Sequence, residues 1–160
     1  MIQRLIVYMC LISMLILTGC SGSGESSEPV LLETETRAEE ENGEMINIRI
    51  TAGGQSFQAK LYDNETTRVF LELLPMTVDM GELNGNEKYA YLSNSLPVNA
   101  GNPSTIHTGD IMLFGSDCLV LFYEDFSTSY SYTTIGYVED ISGFKESLGG
   151  GSVQVGFSID

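Results

Sequence analysis

Residues 130–149 read YSYTTIGYVEDISGFKESLG, and two different periods meet in them. The first half, SYTTIGYVED, has the β-branched and aromatic content of a strand, with Gly136 set between Ile135 and Tyr137. The second half, DISGFKESLG, changes to helical spacing. Ile141, Phe144 and Leu148 fall on one side, Asp140 or Ser142 can cap the start, and Gly149 stops the run. A helix this short needs an apolar surface to cover, so the question passes to the strands around it.

Those strands are plentiful. Downstream, GGGS leads into VQVGFSI, where Val153, Val155, Phe157 and Ile159 alternate with polar or small residues. Upstream, DIMLFG and CLVLFYE are joined by the turn Gly115-Ser116-Asp117. Their near-continuous apolar character predicts burial on both faces, or a barrel wall. Further back, MINIRITA alternates at Ile46, Ile48 and Ile50, and FQAKLYD at Phe57, Ala59 and Leu61, with GGQS turning one into the other as a hairpin. NETTRVFLELLP places Val69, Phe70, Leu73 and Leu74 at helical spacing, capped by Asn64, Thr66 or Thr67 and ended by Pro75. TVDMGEL and EKYAYLS read as short strands joined across LNGN, and SLPVNAGNPSTIHTG as a loop. The predicted fold is mainly β: a closed antiparallel eight-stranded barrel, which leaves no open edge, with two short helices capping its ends.

The first 44 residues are of another kind. MIQR is followed by an apolar run from Leu5 to Leu17, too short for a typical membrane span. Leu17-Thr18-Gly19-Cys20 then resembles the lipobox of bacterial lipoproteins. The resemblance implies cleavage before Cys20 and a lipid on its sulfur, which assigns 1–19 to a lipoprotein signal peptide and the protein to the extracytoplasmic side of the cell membrane. Residues 20–44 follow as the lipidated Cys and an acidic tether. Gly, Ser, Glu and Thr dominate the tether, a composition that supports no core, and its reach is roughly 25–30 Å. The folded domain is expected at 45–160, as a monomer.

Charge and cysteines limit the functions. Glu25 to Glu44 contain eight Glu and one Arg, and from Met45 onward fourteen acidic residues face five Lys and Arg, a net charge of −9. Nucleic acid and anionic head groups both need a basic footprint, so neither is an expected partner. With Cys10 in the signal segment and Cys20 lipidated, Cys118 alone remains. It reads as a small buried hydrophobe in CLVLFY; a nucleophile would need a nearby base, and the chain has one His.

The order strand, strand, helix, several strands, short helix, last strand resembles that of the cyclophilins. TIGYVEDISGFKESLG is similar to the segment in which Phe-Gly-x-Val precedes a barrel-capping helix, with Ile135-Gly136-Tyr137-Val138 as the strand part. GDIMLFGSDCLVLFY is similar to the central strand pair, and MINIRITAGGQSFQAKLYDNETTRVFLELLP to the opening hairpin and first helix. The whole resembles the compact bacterial cyclophilin-like fold proteins. Active cyclophilins are peptidyl-prolyl isomerases that use an Arg, an apolar pocket, and nearby Gln, Trp and His. By position, the His falls on Tyr132 and the Trp on Ser127, and the Phe-His-Arg stretch has no counterpart. Between Pro75 and Pro97 the one base is Lys88, which lacks the planar fork of a guanidinium.

No other constellation offers chemistry. His107 has no HxH, HExxH or CxxC spacing around it, Glu124-Asp125 and Glu139-Asp140 lack a DxDxDG loop, and Gly149-Gly150-Gly151 precedes a strand rather than a helix. No metal or cofactor is expected. Tyr123, Phe126, Tyr130, Tyr132 and Tyr137 crowd into 15 residues. They form either a hydroxyl-tipped surface for peptides or glycans, or cross-strand pairs that stabilise the sheet. The expectation is a lipid-anchored protein whose barrel binds a peptide or small ligand without catalysis, at Tyr123, Phe126, Tyr130, Tyr132 and Lys88. The alternatives are an isomerase with a non-standard active site, or a structural partner in a membrane complex.

Overall fold

Alternation sets the inside of the molecule from its first strand. The structure is a computed structural model and describes residues 44–160, so the expected signal peptide, Cys20 and the expected tether through Gly43 lie outside the described residues. In β1 (Ile46–Ala52), Ile48, Ile50 and Ala52 are buried, while Asn47, Arg49 and Thr51 are exposed. β2 (Gln55–Leu61) answers with Phe57, Ala59 and Leu61, and Ile48 pairs with Ala59 and Ile50 with Phe57. The hairpin turns through Gly53 and Gly54, at φ 54° and 78°. A two-residue turn of this hand needs positive φ at both positions, which glycine adopts without steric cost.

α1 (Glu65–Leu71) follows at the end of the barrel opposite that turn. Asn64 caps it, its Oδ1 accepting from the Thr67 N–H at 2.8 Å, a contact of the kind that stabilises a helix by about 1 kcal/mol. The helix tightens after Leu71, where the N–H groups of Glu72, Leu73 and Leu74 bond carbonyls three residues back. Phe70 is fully buried and meets Phe157 edge-on, with ring centroids 5.8 Å apart.

The chain continues as β3 (Met76–Leu83), β4 (Glu87–Tyr91), β5 (Thr105–Ile106), β6 (Asp110–Phe114), β7 (Cys118–Phe122), β8 (Phe126–Ser127), β9 (Thr133–Val138), α2 (Phe144–Leu148) and β10 (Val153–Ile159). Around the barrel the order is β1-β10-β3-β4-β7-β6-β9-β2, closing on β1, with each neighbour antiparallel. The closed eight-stranded antiparallel barrel with two short helices is therefore the fold. β5 and β8 pair with each other outside the barrel. β5 interrupts the expected 95–109 loop, and its two residues are too few to show a period.

α2 covers the hairpin end. Phe144 and Leu148 are buried there, and the Phe144 ring sits edge-on to Phe57 at 5.1 Å. The start of this helix differs from the expectation. Gly143, in the left-handed region at φ 76°, holds the cap position with no side-chain bond, and Asp140 Oδ1 instead accepts from the Ser142 N–H at 2.9 Å in the turn before it. Ile141 thus precedes the helix and is 46% exposed, because helical spacing does not extend through a left-handed residue.

β6 and β7 bear out the prediction of two buried faces. Ile111, Leu113, Leu119 and Leu121 join the barrel interior. Met112, Cys118, Val120 and Phe122 point the other way and form a second apolar cluster with Ile106 and Tyr132, outside the wall. This outer cluster positions the candidate site.

Candidate functional site

The site is built on strand parity. In β4, Lys88 and Ala90 are buried in the barrel, so Glu87, Tyr89 and Tyr91 face outward. They lie opposite Phe122, Val120 and Cys118 of β7, and Val120 and Cys118 lie opposite Met112 and Phe114 of β6. Three adjacent strands thus present a flat, largely apolar outer face. The segment from Phe126 to Tyr132 folds over one side of it. It is fixed by the paired backbone bonds of Tyr132 with Gly101, at 2.9 and 3.0 Å, and by the Thr128 N–H donating to Ser104 O at 2.9 Å.

Between that segment and the strands lies a groove of about 530 Å³, walled by Tyr89, Tyr91, Phe114, Phe126, Tyr130 and Tyr132 over a floor of Val120 and Cys118. The rings pack in series. Phe122 meets Tyr132 at 5.5 Å and Phe126 at 5.6 Å, and Phe114 meets Tyr132 at 5.6 Å and Tyr130 at 6.0 Å. The Phe122–Tyr132 and Phe114–Tyr130 pairs are edge-to-face and the other two tilted, and such contacts hold aromatic walls in a defined shape without ligand. Tyr132 is 7% exposed and Tyr130 63% exposed, so one tyrosine is structural and the other forms the rim.

Glu87 gives the groove its charge. It is 9% exposed, and no donor among the described residues hydrogen-bonds its carboxylate. Burial pushes its carboxyl above the ordinary range, and the Glu82 charge pushes it the same way. Beside it, the Asn86 Oδ1 is buried without a donor. Burial, with Asp117 and Glu87 nearby, lifts the Cys118 thiol to about 11, so this sulfur is an apolar floor atom and a poor nucleophile.

Two expected site residues lie elsewhere. Phe126, Tyr130 and Tyr132 line the groove, but Tyr123 and Lys88 turn inward by the same parity that sends their neighbours out. Lys88 is wholly buried. Its ammonium donates to Glu82 Oε2, to Gly149 O at 2.8 Å and to Gly151 O at 2.6 Å, which uses all three of its protons. The Tyr123 hydroxyl donates to Glu82 Oε1 at 2.6 Å, and the Tyr123 ring lies 5.5 Å from the ammonium. Burial raises the Glu82 carboxyl, but the bonds from Lys88, Tyr123 and the Gly85 N–H, with the Lys88 charge, outweigh it and hold the group below its ordinary range. The triple glycine is thus the collar of a buried lysine.

The remaining polar candidates are occupied in turns. Glu124 pairs with Lys145, Glu139 with Lys60 at 2.6 Å, and Asp125 Oδ1 accepts from the Thr108 N–H and hydroxyl at 2.6 and 2.8 Å. His107 is exposed beside Asp110. No cluster of three metal-ligating side chains occurs among the described residues. Glu87, Tyr89, Tyr91 and Phe114 escaped sequence reasoning. The available signal was Glu87-Lys88-Tyr89-Ala90-Tyr91, whose alternate residues share a face with the outward side of CLVLF.

Residues 50–158 match the cyclophilin-like family. Among solved structures, the chain is similar to the hypothetical protein AF2241 from Archaeoglobus fulgidus, known from a solution structure. Identity is 18%, the TM-score is 0.56, and the match covers 76% of this chain and 99% of that one. At that identity the likeness concerns the fold alone. No curated protein matches the sequence. The family match runs from β1 to β10 and takes in every barrel strand and both helices, well over half the sequence. The chain belongs to the cyclophilin-like family.

Proposed function

We propose that this protein is a membrane-anchored extracytoplasmic lipoprotein whose barrel holds a peptide or small ligand in the outer aromatic groove and does not isomerise prolyl bonds. The observation that carries the binding reading is the exposed rim. Tyr91 is 70% exposed, Tyr130 63% and Phe114 45%, gathered along one groove. Contiguous exposed aromatic surface of this kind marks interaction sites in soluble domains. Against isomerisation stands the lining itself, which supplies no cation to polarise a prolyl amide. Arg49, Lys60, Arg68, Lys88 and Lys145 are each ion-paired away from the groove.

Full-length protein in neutral detergent is expected to leave the cis/trans exchange of a proline-containing test peptide at its uncatalysed rate. A kcat/KM in the ordinary enzymatic range of about 10⁴–10⁸ M⁻¹s⁻¹ would overturn this and establish the isomerase alternative. Anchoring rests on Leu17-Thr18-Gly19-Cys20 and is tested separately. Cys20→Ala is expected to abolish fatty-acid labelling and to release the protein from the membrane fraction or stall its processing. Unchanged labelling and sedimentation would refute the anchor.

A further inference from the structure

The groove has an acid and no base, and this imbalance narrows its ligand. Glu87 lies at the start of β4, opposite Phe122; the residue is 9% exposed, and its carboxylate is bonded to no donor among the described residues. A carboxylate on a largely buried residue is partly desolvated, and a ligand that supplies the opposite charge offsets that cost. Within the described domain nothing does. Arg49 is bound to Asp160, Lys60 to Glu139, Arg68 to Asp63, Lys88 to Glu82 and Lys145 to Glu124. The groove that Glu87 lines also carries the rings of Tyr89, Tyr91, Phe126 and Tyr132, whose faces attract cations and whose bodies accept apolar stems.

Peptides and small molecules make different demands on such a floor. An extended peptide is usually held by a free sheet edge, which donates and accepts main-chain bonds. Cys118 to Leu121 of β7 are paired on both sides, with β4 and β6, and β4 is paired with β3 from Glu87 to Tyr89, so the floor offers no ladder. The volume of about 530 Å³ lies instead in the range of small-molecule sites. The net charge of −9 over residues 45–160 concentrates cations around the domain and repels anions.

We infer that the groove takes a small organic cation, an ammonium or guanidinium on an apolar or aromatic body, with the charged group on Glu87 and the body between the tyrosine and phenylalanine rings. The inference rests on the reading that the groove is a binding site, and it names the class of ligand. The groove discriminates by charge: it takes an amine, takes the uncharged isostere weakly, and refuses the anion of the same shape.

The test is calorimetric titration of the full-length protein in neutral detergent with 4-phenylbutylamine, 4-phenylbutanol and 4-phenylbutyrate. The amine is expected to bind about tenfold or more tightly than the alcohol, in line with a hydrogen bond to a charged partner. The butyrate is expected not to bind. Glu87→Gln keeps the shape and removes a buried charge, so it should fold at least as stably. It should also bring the amine down to the level of the alcohol. Tyr91→Ala, on the exposed rim four residues along β4 from Glu87, should weaken the amine and the alcohol alike by about twofold to tenfold, the loss of an aromatic contact with the ligand body. Equal binding of amine and alcohol would overturn the cation inference and leave the groove a binding site blind to charge. Tight binding of an extended arginine peptide, with its citrulline analogue equal to it, would overturn it in favour of a peptide groove. No binding of any probe would overturn the binding reading itself.

Discussion

Lys88→Met is expected to lower the unfolding free energy by about 3–5 kcal/mol, the loss typical when one partner of a buried ion pair is removed. For a domain of this size that corresponds to a fall in melting temperature on the order of 10–20 °C. The methionine fills much the same space, but it leaves Glu82 and the carbonyls of Gly149 and Gly151 without the donor they share. Urea unfolding and thermal melts measure the change. A loss under about 1 kcal/mol, within the range of ordinary substitutions, would refute the structural role assigned to this lysine. Lys88→Met combined with Glu82→Gln should cost less than Lys88→Met alone, because the partly buried Glu82 charge is then not stranded.

The same network has a pH signature. Glu82 has a folded pKa below its unfolded one, so its contribution is present above the ordinary carboxylate range and is lost as pH falls through the lowered folded value. With Lys88 gone, its hydrogen bond and charge no longer lower the Glu82 carboxyl, so the group takes up a proton more readily in the variant than in wild type. The stability gap between wild type and Lys88→Met should therefore narrow from about pH 7 to about pH 4.

Gly136→Ala ranks beside it. Gly136 sits where β9 is squeezed between two neighbours, paired with Leu61 of β2 on one side and Ile111 of β6 on the other. The register with β6 slips by one residue between Ile111 and Met112, a bulge that sharpens the local bend. A Cβ on Gly136 would stand 2.1 Å from the Lys60 carbonyl oxygen and 2.8 Å from the Leu61 Cα. Both obstacles are backbone, and neither can rotate away. The expected cost is about 3 kcal/mol or more, at or beyond the upper end of overpacking penalties. Gly101→Ala is the control, since a Cβ there meets nothing within 4 Å. If the two variants melted together, close approach at Gly136 would not be what closes the barrel.

Much of this architecture was legible because it repeats with the period of its elements. Ile48, Ile50, Phe57, Ala59, Val155 and Phe157 announce their face by alternation, and Asn64 announces the first helix by its chemistry. The two-sided apolarity of CLVLF announced a wall buried on both faces. What stayed hidden depends on partners far along the chain. Lys88 looks like a surface base until Gly149 and Gly151, 61 and 63 residues away, are folded around it. Tyr123 was placed on the binding surface because nothing local reveals which side of β7 the next residue will take. Glu87 was missed for the opposite reason: a carboxylate at a hairpin reads as a solvated turn charge, and only the fold shows Phe122 beside it.

β7 also constrains how this protein can change over generations. Leu119 and Leu121 fill the barrel while Cys118 and Val120 floor the groove, all within five consecutive residues. Substitutions that reshape the floor therefore act through the scaffold as well, and selection for a new ligand is filtered first by fitness to fold. Phe126, Tyr130 and Tyr132 lie outside the barrel ladder, on a segment fastened by a few backbone bonds. Diversification of specificity should run through that segment, with the wall inherited nearly unchanged. A library randomised at Phe126 and Tyr130 is the natural starting point for redesign.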